Sequence, residues 1–315
     1  MSKIAITDYF PFPQEEKEIL GELVGMEVAE DTEVLIVWHE HINTSYINKL
    51  PKLRGVQRYG VGYDTLDIAA LKSAGIVVCN NPDYGTEEVA DTAVAMIMNI
   101  ARGLTVYNHD AKGYFDTWQE NINPLIKRNS DTVVGIIGAG RIGGSVLMRC
   151  NDLRFSTVFY DPYKERGYEK MINGTRVDNL NQLLEVADII SIHTPLGRET
   201  KGIINRDFID KMKTGASIVN TARGGLFEST DILYEAMMKG KIYCLAIDVL
   251  EKEPPQQDKL INAWRNSDEG LGGRLIINPH TSYYSQAAYR ELRLNAANNA
   301  LRIFRGETPF NIITQ

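Results

Sequence analysis

The run "TVVGIIGAGRIGGSV" constrains this chain more than any other. "VVGII" is apolar enough to be buried on both faces, which is the pattern of a strand inside a parallel sheet. It leads directly into Gly138-x-Gly140-x-x-Gly143 at the start of a helix-like segment. In that context the first glycine permits a tight turn, the second lets backbone approach a pyrophosphate, and the third lets the helix pack on the strand. A helix N-terminus offers free N–H groups and partial positive charge to phosphate. The next strand, "STVFYD", ends in Asp161, where a carboxylate can accept hydrogen bonds from an adenosine ribose. That acid favours NAD over NADP, whose 2′-phosphate it would repel. Lys164 nearby leaves room for some dual specificity.

The rest of the chain alternates strand and helix. "KIAITDYF", "EVLIVW", "GVQRYG" and "IVVCNNP" read as strands before the fingerprint, with helices "QEEKEILGEL" and "NTSYINKLP" between them. After it come "ADIISIHTP", "ASIVNTA", "YCLAIDV" and "RLIINPH", interleaved with helices such as "NRDFIDKMK" and "TDILYEAMMKG". Such alternation predicts parallel sheets covered by helices on both faces. "EEVADTAVAMIMNIARGL" places Val89, Ala93, Met96, Ile97 and Ile100 at helical spacing and reads as a long helix, a spine between domains. "SQAAYRELRLNAANNALRIFRG" reads as a final helix ending at Gly306.

With 315 residues the chain exceeds the usual size of a single core, about 250 to 300 residues, so two domains are expected. A formal charge of −7 without a basic run argues against a nucleic-acid partner. No apolar stretch of ~18 or more residues and no signal-peptide pattern is present, so no membrane partner and a cytoplasmic location are the expectations. Cys79, Cys150 and Cys244 are widely spaced in apolar contexts and read as buried free thiols.

Three later stretches fall at the carboxyl ends of predicted strands, where open α/β sheets place their ligands. They are "VNTARGG" with Arg223, "AIDVLEKEPP" with Asp248 and Glu253, and "NPHTSYY" with His280. Reduction of a 2-keto acid by a nicotinamide needs a cation for the carboxylate, an acid to protonate the developing alkoxide, and a carboxylate beside that acid. Arginine suits the first task through its planar fork, and histidine the second because it titrates near neutral pH. A neighbouring glutamate favours the imidazolium form.

"VVGIIGAGRIGGSV", "ADIISIHTPLGRETKGIIN", "MKTGASIVNTARGGLFE", "DVLEKEPP" and "NPHTSYYS", in this order, resemble the D-isomer-specific 2-hydroxyacid dehydrogenase family nearly end to end. The resemblance implies an α/β fold of two doubly wound parallel-sheet domains, a Rossmann cofactor domain inserted into a flavodoxin-like substrate domain. The substrate domain would comprise residues 1–102 plus 284–315, and the NAD-binding domain residues 103–283. Arg223, Glu253 and His280 would be the catalytic trio, with Glu253 preferred to Glu251 because the family's acid precedes the proline. Arg141 and Ile142 would lie on the pyrophosphate beside Gly138, Gly140 and Gly143. Thr194, Pro195 and Thr200 would line the adenosine side with Asp161, and His193 would also bind the cofactor. Asp248 and the Ala222 carbonyl would hold the nicotinamide carboxamide, with Thr221, Arg223 and His280 also against the cofactor. The Val61 and Gly62 amides of "RYGVGYD" would take the substrate carboxylate. The family usually forms homodimers, and "YNHDAKGYFDTWQE" is the segment expected to cross to the partner.

Within the family, "NNPDYGTEEVADTAVAMIMNIAR" and the aromatic pair after His280 resemble the C-terminal-binding-protein-like branch most. Two functions follow: an NAD(H)-dependent oxidoreductase acting on a small D-2-hydroxy acid, or an NAD-sensing, corepressor-like scaffold with little turnover. The chain is of bare enzyme length, so the enzyme is expected. Trp38 and His39 stand where the phosphoglycerate branch has an arginine, which argues against a phosphorylated substrate. Glu253 stands where the formate branch has glutamine. Trp38 or His39, with Tyr283, would form the pocket for the substrate side chain. His39 and His41 lack an evident third ligand, so no metal is expected; Asn43 or Thr44 reads as a helix cap.

Overall fold

The structure is a computed structural model and describes residues 2–8, 14–115, 118 and 123–313. The chain divides into two compact units, one of residues Met1–Gly85 with Tyr284–Gln315, the other of Thr86–Tyr283.

The first unit is built on β1 (Ile4–Ile6), β2 (Val24–Gly25), β3 (Val34–Val37), β4 (Gly55–Arg58) and β5 (Val77–Cys79). All pairs are parallel, in the order β2-β1-β3-β4-β5. This is the flavodoxin-like order. Every residue of β3, "VLIV", is buried because both faces of the sheet are covered. On one face Leu35, Val37, Val56 and Val78 pack with Leu50, Leu53, Leu66 and Leu71. Helix Gln286–Arg305 lies against β3 and β4 and also packs on helix Gln14–Leu20. That long helix starts where the Ser285 hydroxyl accepts the Ala288 amide and stops at Gly306, whose φ of 72° ends the turn. Asn43 caps the helix Thr44–Ile47 through the Tyr46 amide, as expected from sequence. The strand expected over "KIAITDYF" is shorter, and Tyr9 and Phe10 lie outside the described residues.

A buried polar network joins the two ends of this unit. Glu16 is fully buried and accepts from the Tyr59 hydroxyl (2.6 Å) and from Arg293 Nε (2.9 Å) and Nη2 (2.5 Å). Arg293 Nη1 also pairs with Glu15. Burial and the Glu16 charge push the Tyr59 hydroxyl well above its ordinary pKa, so it remains the donor. Neither ion could be buried alone without a cost of several kcal/mol.

The second unit is built on β6 (Val133–Ile137), β7 (Ser156–Tyr160), β8 (Thr175–Arg176), β9 (Ile189–Ile192), β10 (Ala216–Asn220), β11 (Ile242–Ile247) and β12 (Leu275–Ile277). Their order is β12-β11-β10-β9-β6-β7-β8, and every pair is parallel. This is the Rossmann arrangement. Alternate strand residues serve two cores. Ile190, Ile192, Ile218, Leu245 and Ile247 pack with helices Leu180–Val186, Arg206–Lys211, Thr230–Met238 and Lys259–Arg265. Ile189, Val219 and Ala246 face the other way, toward helices Thr86–Arg102 and Arg141–Asp152. Two-residue β2 and β8 were not expected, being too short to leave a hydrophobic pattern.

The helix Thr86–Arg102 differs from expectation in its allegiance. The sequence reading put it with the first domain; in the structure Ala90, Ala93, Met96 and Ile97 pack into the core of the second unit beside Val146, Leu147 and Cys150. Its buried stripe is one residue offset at the start, Ala90 being fully buried and Val89 only half-buried. The three cysteines are buried free thiols, and desolvation pushes each pKa up to about 12. Of the segment Tyr107–Glu120, residues 116–117 and 119–120 lie outside the described residues. Among the described residues no single helix is long and apolar enough to cross a membrane.

Arg293→Met leaves Glu16 as a buried carboxylate with only the Tyr59 hydroxyl, and should lower unfolding stability by about 3 to 5 kcal/mol. Urea denaturation would measure this, and Glu16→Gln added to it should recover much of the loss.

Candidate active site

Because every strand of the second sheet is parallel, the loops after β6, β7, β9, β10, β11 and β12 all emerge at its carboxyl edge. The chain reverses direction across the sheet between β6 and β9, and there the fingerprint loop meets the loop after β9. Gly138 adopts φ 86°, and a Cβ on it would lie 2.7 Å from the His193 carbonyl oxygen. A Cβ on Gly143 would fall 1.9 Å from the Gly138 carbonyl oxygen, so the loop folds back on the helix only with glycine there. At Gly140 no described atom lies within 4 Å of the Cβ position, and the helix Arg141–Asp152 starts without a side-chain cap. Its first amides are thereby left for an anion. Arg141, in the first turn, is exposed, and Ile142 is half-buried.

Asp161, 8% exposed, accepts the Ala139 amide (2.9 Å) and the Tyr163 amide (3.0 Å), one on each oxygen. It thus ties the loop after β7 to the fingerprint while each oxygen keeps capacity for a further donor. Lys164 lies over the Tyr168 ring at 4.8 Å. His193 bonds the buried Ser191 hydroxyl through Nε2 (2.8 Å), and desolvation pushes its pKa down to about 3, so the ring is neutral. The Thr194 and Thr221 hydroxyls are buried with no hydrogen-bond partner among the described residues. Orphaned hydroxyls of this kind are costly unless a ligand satisfies them. The Thr200 hydroxyl instead donates to the Pro195 carbonyl (2.6 Å) and accepts the Gly197 amide (2.8 Å), closing its own loop. Pro195 is exposed.

At the other end of the sheet edge three loops interlock. The fully buried Asn220 accepts the Ala222 amide (2.9 Å) and donates to the Arg223 carbonyl (2.9 Å), which shapes the turn carrying Arg223. The Arg223 guanidinium donates to the Ala222 carbonyl (2.8 Å), the oxygen expected to take the nicotinamide carboxamide. A Cβ on Gly224 would lie 1.9 Å from the Leu250 carbonyl carbon, so this turn and the loop of Glu253 are in backbone contact. The Glu253 carboxylate accepts the Leu250 amide (2.8 Å) on one oxygen and meets His280 Nδ1 (2.7 Å) with the other. Partial burial works to raise the Glu253 pKa, but the bond and charge of His280, the Leu250 amide and Arg223 more than offset it, leaving the group below its ordinary value. With Nδ1 engaged, Nε2 is the nitrogen available for proton exchange. Asp248, 2% exposed, takes the amides of Thr281 (2.9 Å) and Ser282 (3.1 Å) and keeps an acceptor site free for a further donor.

Of the other expected substrate residues, Tyr283 shares the loop after β12 with His280, and Trp38, Val61 and Gly62 belong to the first unit. Trp38 is 6% exposed, with its ring against Tyr59 (5.5 Å between centroids) and the Arg58 guanidinium (5.7 Å). The pocket role expected for it meets a ring that is almost wholly interior. Val61 is 40% exposed and its carbonyl accepts from Asn80 (2.7 Å); Gly62 and Tyr283 are half-buried. His39 lies 3.6 Å from Asp8. Among the described residues no group of three His, Cys, Asp or Glu could hold a metal ion. Sequence reasoning missed Asn220; its signal was a polar residue closing the apolar run "ASIV".

Residues 94–282 match the family described as D-isomer specific 2-hydroxyacid dehydrogenase, NAD binding domain. The chain belongs to that family. The cofactor is NAD, and the uncapped helix, open Gly140 and orphaned threonine hydroxyls fit it. The chain is 32% identical to D-3-phosphoglycerate dehydrogenase of Methanocaldococcus jannaschii, over 99% of this chain and 59% of that protein. It is 31% identical to C-terminal-binding protein 1 of Caenorhabditis elegans, over 84% of this chain and 36% of that one. It therefore spans less than two thirds of these curated relatives. Its fold is similar to that of the D-lactate dehydrogenase of Aquifex aeolicus complexed with NAD and lactic acid, with a TM-score of 0.82 and 26% identity over 99% of both chains.

Gly143→Ala must push the Gly138 carbonyl away and open the loop. NADH binding, followed by fluorescence titration, should weaken at least about tenfold, or 1.4 kcal/mol.

Proposed function

We propose that this protein is an NAD(H)-dependent oxidoreductase interconverting a small D-2-hydroxy acid and its 2-keto acid, with His280 as general acid and base. The observation that carries this reading is the 2.7 Å bond between His280 Nδ1 and Glu253, on loops following the neighbouring strands β11 and β12 of an NAD-binding unit. Bound NAD(H) supplies or accepts the hydride.

In the direction of reduction, His280 donates its Nε2 proton to the oxygen that becomes the hydroxyl, and in oxidation the neutral ring takes it back. Glu253 fixes the ring and stabilises the imidazolium. Because Glu253 is held below the ordinary carboxylate range, its charge persists through neutral and mildly acidic pH and is lost only as pH falls through that lowered value. Arg223 holds the substrate carboxylate and polarises the adjacent carbonyl. Tyr283, three residues beyond His280 on the same loop, selects the side chain. Asp161 takes the adenosine ribose and disfavours a 2′-phosphate, so kcat/KM with NADH should exceed that with NADPH. Residues 1–85 with 284–315 act as the substrate domain. Phe115 and Trp118, 89% and 66% exposed, offer apolar surface to a second copy, and light scattering should give the mass of a homodimer.

A panel of 2-keto acids assayed with NADH at neutral pH should reveal turnover. His280→Ala should lower it ~10² to 10⁴-fold with NADH affinity retained, as for a lost general acid. A near-normal rate in that variant sinks the mechanism, and absence of turnover by the unaltered protein across the panel favours the scaffold reading.

A further inference from the structure

In the sheet order β9-β6-β7 the loops after β7 and β9 stand on either side of the fingerprint loop, about 10 Å apart, the width of two strand spacings. A side-chain bond crosses that gap: the Tyr163 hydroxyl donates to Glu199 Oε2 (2.5 Å). Both side chains are exposed, Tyr163 by 79%. The bond to Glu199 and its charge hold the phenol above its ordinary pKa, so it remains the donor. The loops beneath are fixed from within. Arg176, on β8, donates to the carbonyls of Lys164 (2.8 Å), Glu165 (3.2 Å) and Asp161 (3.3 Å), and the Tyr163 amide donates to the Asp161 carboxylate (3.0 Å). On the other side the Thr200 hydroxyl closes the loop that carries Glu199, through the Pro195 carbonyl and the Gly197 amide. Two internally braced piers thus meet at exposed tips, and the tips can part without breaking either loop.

We infer that Tyr163 and Glu199 form a strap across the adenosine end of the NAD site, which parts to let the dinucleotide pass and re-forms over it. Asp161, read as the ribose acceptor, stands at the foot of the Tyr163 pier. The uncapped amides of the helix Arg141–Asp152, read as the pyrophosphate site, follow β6, between the two piers. A ligand reaching from one to the other lies under the line of the bond. Passage in either direction is then proportional to the fraction of time the strap is open. The inference rests on Asp161 as the ribose acid and not on His280 as the proton donor.

The test measures association and dissociation rate constants of NADH by stopped-flow fluorescence in the unaltered protein, Tyr163→Phe, Glu199→Ala and the double variant. ADP-ribose, which carries the adenosine end without the nicotinamide, would be followed through its competition with NADH. Each single variant should raise both rate constants together, about five- to tenfold, the size of one exposed hydrogen bond to a charged group. The dissociation constant should then stay within about threefold, and the double variant should match either single one, since both changes remove the same bond. ADP-ribose should respond as NADH does. Tyr163→Phe alters no charge, so an effect in Glu199→Ala alone is relief of phosphate repulsion and overturns the inference. A change confined to dissociation marks an ordinary ligand contact, and one confined to association marks a plug that the ligand displaces; either overturns it. Effects that multiply in the double variant, or rates unaltered throughout, overturn it as well. Failure of the dehydrogenase reading would appear instead as absent turnover, which none of these binding measurements uses.

Discussion

A parallel sheet cannot be made from tight hairpins, so each strand of the second unit returns across a face by a helix and begins again at the same edge. Every carboxyl end therefore points one way, and loops from six strands that are far apart in sequence are forced into one row. The fingerprint loop, Asp161, His193, the Arg223 turn, Asp248 and His280 are neighbours for that reason. The reversal between β6 and β9 adds the close approach of Gly138 to the His193 carbonyl, which only a residue without a side chain can occupy.

Loops at a strand edge have main-chain amides that no ladder satisfies, and acceptors must come from elsewhere. Three acids supply them. Asp161 takes Ala139 and Tyr163, Asp248 takes Thr281 and Ser282, and Glu253 takes Leu250. Acids that a sequence reader assigns to ligands thus also build the loops that present ligands to the protein. Glu253 does both with one carboxylate, since its second oxygen meets His280.

The first unit solves a different problem. Its sheet comes from the beginning of the chain, and the helix lying on β3 and β4 comes from the end. Glu16, Tyr59 and Arg293 join the two by a network in which removing either ion leaves the other charge buried. Tyr59 also carries Trp38 on its ring, so the same network supports the strand ends of β3 and β4.

The sequence by itself determined the two parallel sheets, the glycine loop and the buried thiols, because alternation of apolar runs, glycine spacing and burial of cysteine are local properties of a chain. It also brought out Arg223, Glu253 and His280, since each stands beside a strand end legible in its own segment. Only the tertiary structure decided where side chains spend their hydrogen bonds. Asp248 closes the His280 turn across 33 and 34 residues of chain, Thr200 closes its own loop, and Trp38 turns inward against Tyr59. The allegiance of helix Thr86–Arg102 was likewise a matter of packing, because an amphipathic stripe states that a face is buried and not what covers it.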